Sequence, residues 1–210
     1  MTNVAVNELS PSAPENEKLL LLSPDSTSGA FLGAPDAHIY LPDIWEHLIG
    51  TYAIQSVLDI GAGAGWSTRW FVEKGVYTLG VEGSSVALRH NRCRSNVVKH
   101  SYSEAPFVPA CCFDLAWCAG FVQQLEERSI PNLMTSFQSC KYVCLTPADV
   151  QEKAYRHVNS QPTSYWVKKM NEYGFDHDPR ETLDLRSTAT DKSQWGRRGL
   201  TFFVRRDSFK

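Results

Sequence analysis

The sequence predicts an α/β fold: a doubly wound, mostly parallel sheet with helices on both faces. Three observations carry this reading. Short apolar runs alternate with amphipathic stretches along most of the chain. The first such run leads directly into "GAGAGW", a tight strand-to-helix turn with Gly61, Gly63 and Gly65 at alternate positions. The final runs follow one another closely, which favours an antiparallel closure of the sheet.

The elements can be justified in order. Residues 1–36 are rich in Ser, Pro, Asn, Gly and Thr, with an apolar island at Leu19–Leu22, and are expected to form a loose N-terminal extension. "PDIWEHLIGTYAI" places Ile44, Trp45, Leu48 and Ile49 at helical spacing behind a proline start. "QSVLDI" reads as the first strand, and the helix after Gly65 carries Trp66, Trp70 and Phe71 near one face. "VYTLGVEG" is the second strand, and Ser84 caps the helix that follows. "SNVVKHSY", "CFDLAWC" and "CKYVCLTP" supply strands three to five, with a helix near Ser129–Phe137 before the fifth. "TSYWVKKMNEYGF" reads as a helix with Tyr165, Trp166, Met170 and Tyr173 as its apolar stripe and Gly174 as its stop. The last two strands are expected around Glu181–Leu185 and over "GLTFFVRR", joined as a helix-free hairpin. In such sheets ligands sit beyond the carboxyl ends of the strands, so Asp59–Gly65, Glu82 and the segments after Lys99 and Trp117 should surround one cleft.

Composition narrows the function. The chain has 210 residues, 42% hydrophobic and 11% aromatic, enough for one such domain. A net charge of −2 gives no general case for nucleic acid or an anionic membrane. No apolar run approaches the roughly 20 residues that span a bilayer, and the N-terminal stretch does not read as a secretory signal. Six cysteines lack any CxxC spacing. Cys112, Cys118 and Cys144 fall in expected central strands, and a reducing, cytoplasmic setting is expected. Monomer and dimer both remain open.

The glycine turn lets backbone approach a ligand closely, and either a dinucleotide or S-adenosylmethionine can use it. The dinucleotide pattern GxGxxG would place glycine at position 66, where the chain has Trp66. The bulky indole favours a nucleoside whose amino-acid end lies along the loop. Glu82, closing the second strand, can accept hydrogen bonds from both hydroxyls of a ribose.

"VLDIGAGAGWSTRWF", "GVEGS", "VVKHSY" and "FDLAWC" together resemble the successive motifs of class I S-adenosylmethionine-dependent methyltransferases, over roughly residues 55–203. The resemblance implies a seven-stranded Rossmann-like sheet with an antiparallel last strand, and residues 37–210 as the methyltransferase domain. It implies that Asp59, Gly61 and Gly63 hold the methionine end of S-adenosyl-L-methionine, with Trp66 beside them. Glu82 and Gly83 would hold the ribose. Ser101 and Tyr102, within His100–Ser103, would border the adenine, with Trp117 also against the cofactor.

A narrower resemblance joins "FDLAWCAGFVQQLEER" and "RHVNSQPTSYW" to the small sugar-directed methyltransferases of bacteria and large algal viruses, including those that modify capsid glycans of chlorella viruses. It implies O-methylation of a sugar hydroxyl, such as that of a rhamnose residue, in the host cytoplasm if the source is viral. That group's pattern is closer to "WCxEFVEHVEE" and "HHHVNxQPxxYW". This chain has Gly120 in place of a glutamate, Gln123 and Gln124 in place of glutamate and histidine, and Ser101 in place of an adenine-side aspartate.

A sugar hydroxyl is a poor nucleophile, so the reaction needs a group to take its proton. His157, in the loop after the fifth strand, is the candidate base. Asn159 and Gln161 have amides suited to sugar hydroxyls. Phe121 and Tyr165 are candidate acceptor contacts, and Tyr165 and Trp166, adjacent on one helix, cannot both face the core. Asp149 and Glu152 with His157 make a divalent metal conceivable, though no metal site is predicted. Arg197 and Arg198 in "WGRRGL" are further candidates for contacting a phosphate. Two alternatives stay open: another small-molecule hydroxyl as acceptor, or a degenerate, non-catalytic cofactor-binding module. No N/D-P-P-Y/F motif for amino nitrogens follows the fourth strand, which ends in "WCAGF".

Overall fold

The computed structural model describes residues 40–147, 157–189 and 198–206. The expected extension at 1–36 and the candidate residues Asp149, Glu152 and Arg197 lie outside these. The described chain runs α1 (Pro42–Tyr52), β1 (Ser56–Ile60), α2 (Trp66–Glu73), β2 (Tyr77–Glu82), α3 (Ser85–Arg89) and β3 (Val97–Lys99). It continues through β4 (Phe113–Ala119), α4 (Ile130–Phe137), β5 (Cys140–Thr146), α5 (Thr163–Glu172), β6 (Phe175–His177), α6 (Pro179–Thr188) and β7 (Thr201–Arg205).

The seven strands form one sheet in the order β3-β2-β1-β4-β5-β7-β6. Neighbours from β3 to β5 are parallel, and β7 runs antiparallel to both β5 and β6. The predicted mostly parallel sheet with an antiparallel last strand is what the chain forms. The chain winds from β1 outward to β3 and returns to β4 on the other side of β1. The crevice at the carboxyl ends of β1 and β4 is therefore the topological switch point.

Each face of the sheet buries its own apolar layer. On one side Trp45 of α1 sits at the centre of an aromatic cluster. Its ring lies 5.1 Å from Trp70, 5.3 Å from Phe71 and 5.6 Å from Trp117. On the other side Leu133, Met134 and Phe137 of α4 pack with Trp166 and Met170 of α5 over Val143 and Phe203. A buried apolar side chain of this size contributes roughly 1.5–3 kcal/mol, so these two layers dominate stability. Local signals set the helix starts: Pro42 opens α1, and the Ser84 hydroxyl accepts from Ala87 N at 3.1 Å to cap α3.

Two expectations are corrected. Glu181–Leu185 is not a strand but the middle of α6, and the sixth strand is Phe175–His177. The last two strands thus pair antiparallel without forming a hairpin. Only Leu183, Asp184 and Leu185 alternate in "ETLDL", whereas Asp178 accepts from Glu181 N at 2.9 Å and Pro179 occupies the first helical turn. Asp followed three residues later by Glu is a capping signature, and it wins over so short an alternation. Thr182 and Leu185, three apart, then face inward together, and Thr182 Oγ1 accepts from Phe202 N at 3.1 Å. Cys112 is exposed ahead of β4, whereas Cys118, Cys140 and Cys144 are buried; all six cysteines are free thiols. Among the described residues no helix is long and apolar enough to cross a membrane.

Removing the α6 cap with Asp178→Ala should lower the unfolding free energy by about 1 kcal/mol in urea titration. An unchanged urea midpoint would show that α6 is fixed by packing alone.

Candidate active site

The glycine turn follows β1 and is pinned from several sides. Gly61 N and Ala62 N both donate to Val81 O, at 2.9 and 3.2 Å, and Gly65 N donates to Ala62 O at 2.8 Å. Gly61 and Gly65 have φ of +75° and +77°, the left-handed region that a side chain disfavours. Space is a second constraint. A Cβ on Gly61 would lie 2.8 Å from the Phe121 ring, and one on Gly65 would lie 2.5 Å from the Asn91 carboxamide.

Two acidic side chains stand under this turn. Glu82, 2% exposed at the end of β2, accepts from Gly63 N at 2.7 Å and from Ser84 N at 2.6 Å, one donor on each oxygen. A carboxylate can accept about four hydrogen bonds, so two backbone donors orient it without exhausting it. Asp59, also 2% exposed, accepts from the Ser67 and Thr68 hydroxyls of α2 at 2.6 and 2.5 Å. Burial pushes its carboxyl up to about 6, with the Glu82 charge adding to the rise and the two hydroxyls opposing it.

Beside the turn, a shallow open hollow is lined by Gly83, Ser101, Tyr102, Phe121, Gln124 and Leu125, among others. Its floor is fixed: the Tyr102 hydroxyl pairs with Ser136 at 2.9 Å, and Asn132 donates to Tyr102 O at 2.8 Å. His100 Nε2 lies 2.9 Å from Ala105 O, so that nitrogen carries the proton and donates. The Phe121 ring closes one side, 5.8 Å from the Tyr102 ring.

The segment ahead of α5 is tied to the loop after β4. Val158 N and Asn159 N both donate to Gln123 O, at 3.0 and 2.9 Å. His157 and Gln161 on this segment are half-buried, and Asn159 is 5% exposed. The Tyr165 hydroxyl donates to the Glu127 carboxylate, and Lys169 Nζ approaches the same group at 3.1 Å. These two partners, the hydroxyl first, hold Glu127 below the usual carboxylate range.

The structure thus brings Asp59, Gly61, Gly63 and Glu82 together at the turn, and Gly83, Ser101 and Tyr102 in the adjoining hollow. Two sequence expectations change, at Trp117 and Trp66. Trp117 is 1% exposed and packs against Trp45 within the core, so it does not line the cleft; Leu115 and Ala119, two residues to either side, join the same layer. Phe121, expected on the acceptor, covers Gly61 and borders the hollow. Trp66 packs behind the turn with Ala64 and Ala87, under the Arg92 guanidinium at 4.0 Å. Of the adjacent Tyr165 and Trp166, Trp166 is fully buried and Tyr165 faces Glu127. Gln124 and Asn91 had not been identified as site residues; the position of Gln124 just beyond β4 was the available signal, whereas nothing in sequence tied Asn91 to the turn. Among the described residues no group of three or more His, Cys, Asp or Glu is placed to hold a metal ion.

Residues 58–158, from the glycine strand to the segment beyond His157, match the methyltransferase-domain family. That segment is a class I S-adenosylmethionine-dependent methyltransferase domain. No curated protein matches the chain in sequence. Among solved structures it resembles CalS10, an amino pentose methyltransferase from Micromonospora echinaspora with bound S-adenosylmethionine. The TM-score is 0.61 at 13% identity, over 82% of this chain and 92% of that one. It also resembles magnesium protoporphyrin IX methyltransferase of Synechocystis PCC 6803 with bound S-adenosylhomocysteine (TM-score 0.56, 11% identity, 78% and 81% covered). The glycopeptide N-methyltransferase MtfA complexed with sinefungin is similar at TM-score 0.54 and 16% identity, covering 77% and 83%.

The methyltransferase's own residues fit this cofactor. The turn has no room for a side chain at Gly61 or Gly65, the buried Glu82 is oriented by backbone at the strand end, and a hollow with an aromatic floor opens beside it.

The raised Asp59 gives a pH test. In the native state this carboxyl holds its proton up to about 6, against 3.8 for an unperturbed one, so the folded chain binds more protons between those values. Stability attributable to Asp59 must then fall as pH rises through that window. The unfolding free energy of the wild type relative to Asp59→Asn should drop by up to about 3 kcal/mol between about pH 4 and 6.5. Parallel pH profiles of the two proteins would rule out the buried, raised carboxyl.

Proposed function

We propose that this methyltransferase transfers the methyl group of S-adenosylmethionine to a hydroxyl oxygen of a sugar or glycan. The observation that carries the proposal is the attachment of the segment that bears His157, Asn159, Gln161 and Tyr165. That segment is fastened through Gln123 O to the same loop that lines the cofactor hollow. Amides and a phenol suit a neutral polyhydroxyl acceptor, since each group both donates and accepts. The amino pentose methyltransferase among its structural relatives is consistent with a sugar acceptor. A hydroxyl is favoured over an amine because "WCAGF" stands where N/D-P-P-Y/F would be expected.

In this reading Glu82 accepts both ribose hydroxyls, held in plane by its bonds to Gly63 N and Ser84 N. Asp59 and the Gly61–Gly63 backbone face the amino-acid end, and Gly83, Ser101 and Tyr102 enclose the adenine. When bound, the cofactor supplies an electrophilic methyl on a sulfonium. Asn159, Gln161 and Tyr165 orient the acceptor so that its oxygen lies in line, and such positioning supplies much of the rate. His157 takes the hydroxyl proton as the oxygen–carbon bond forms. Residues 37–210 constitute the transferase domain in this proposal, consistent with the integration of α1 into the core.

The test is incubation with methyl-labelled S-adenosylmethionine and a panel of monosaccharides, glycopeptides and amino sugars, with products read by mass spectrometry. Labelled O-methyl sugars are expected; label only on nitrogen, or none, would overturn the reading. His157→Ala should lower kcat by about 100-fold or more while leaving S-adenosylhomocysteine affinity unchanged. Glu82→Ala, which removes charge-assisted acceptors, should weaken S-adenosylhomocysteine binding by roughly 100-fold in calorimetric titration. Wild-type affinity in Glu82→Ala would displace the ribose from this strand end.

A further inference from the structure

We infer that Asn91 is a positioning residue of the cofactor site, acting through the glycine turn and touching neither cofactor nor acceptor. It lies just beyond α3, in the crossover between β2 and β3 and far along the chain from the turn. Its carboxamide nevertheless occupies the space left by the missing side chain of Gly65, 2.5–2.8 Å from where a Cβ would stand. It makes two directed hydrogen bonds there. Nδ2 donates to Gly63 O at 2.9 Å, and Oδ1 accepts from Cys93 N at 2.8 Å. The next residue adds a third tie, Arg92 N to Ala64 O at 2.9 Å, and its guanidinium lies 4.0 Å over the Trp66 ring at the start of α2.

Gly63 is therefore fixed at both ends. Its N–H is held by Glu82, at the end of β2, and its C=O by Asn91, after α3. Glycine is the residue that loses most conformational freedom on ordering, and this turn contains three of them within five positions. An unbraced turn would have to be ordered when the cofactor binds, which weakens affinity by the cost of that ordering. Asn91 removes the cost in advance. Its amide is specific for the task, because one end must donate to a carbonyl while the other accepts from an N–H. A carboxylate of the same shape keeps the second bond and sets an acceptor against Gly63 O.

This inference rests on the cofactor lying along the glycine turn, and the experiment separates the two. S-adenosylhomocysteine is titrated calorimetrically into full-length wild type, Asn91→Asp, Asn91→Ala and Gly65→Ala, with amide hydrogen exchange followed at Gly63 and at Leu58 in β1. Asn91→Asp is expected to bind about tenfold more weakly, with faster exchange at Gly63 and unchanged exchange at Leu58. Asn91→Ala and Gly65→Ala, which remove or evict the carboxamide, should weaken binding at least as much. Their effects should add only in part in the double variant, since Gly65→Ala carries the strain of a left-handed alanine besides the contact that the two share. Asn91→Asp binding within twofold of wild type would overturn the inference and leave Asn91 as a space-filling residue. A merely structural role would move Leu58 exchange along with Gly63, which also overturns it. A wild-type chain that fails to bind S-adenosylhomocysteine would overturn both this inference and the placing of the cofactor.

Discussion

The hydrogen bond from Gly63 N to the Glu82 carboxylate is the contact on which the cofactor site depends. It closes a loop of backbone between two neighbouring parallel strands, so the turn after β1 cannot move without the end of β2. Burial makes the bond directional and costly to lose, because an unpaired carboxylate at 2% exposure would face several kcal/mol of desolvation. The same burial links the two acids electrostatically: Glu82 contributes to the raised Asp59. Asp59 is thus a second buried acid whose ionisation both burial and the neighbouring Glu82 charge oppose. A cationic ligand would relieve that arrangement.

The sheet was largely legible because its signals are local and redundant. Apolar runs of strand length, a glycine turn and the Ser84 cap each specify one element, and together they allow one topology. The exception is instructive. Between Asp178 and Leu185 two local signals conflict, a short alternation and a capping pair, and hydrogen bonds of the first helical turn decide the matter. Helix caps are backbone bonds made at once, whereas alternation stabilises a strand only if a sheet edge is available to it. Here the edge next to β5 is taken by β7.

The site was legible in proportion to how far its residues follow from chain geometry. Gly61, Gly63 and Glu82 sit at strand ends where topology alone places them, and Gly83, Ser101 and Tyr102 follow from the same rule. Side-chain direction was not legible in this way. Trp117 lies on a strand that reaches the cleft, yet its side chain points toward Trp45, and only the pairing of layers determines that choice. Phe121 lies over the turn because Gly61 leaves a space its ring can fill. Asn91 could not be found from sequence at all: its partners are Gly63 and Cys93, and the first is brought near only by the complete crossover.

The order of the sheet has a consequence for how the chain is made. β6 is synthesised before β7, yet it joins the sheet only through β7, which inserts between it and β5. Until that later segment emerges from the ribosome, β5 ends the sheet with an open edge and Phe175 has no strand beside it. Open edges of this kind invite pairing with other chains. The half of the protein that carries the glycine turn can pair β3 to β5 early, while the remainder waits for its last strand. Nascent chains would then acquire the cofactor cradle before they acquire a closed sheet.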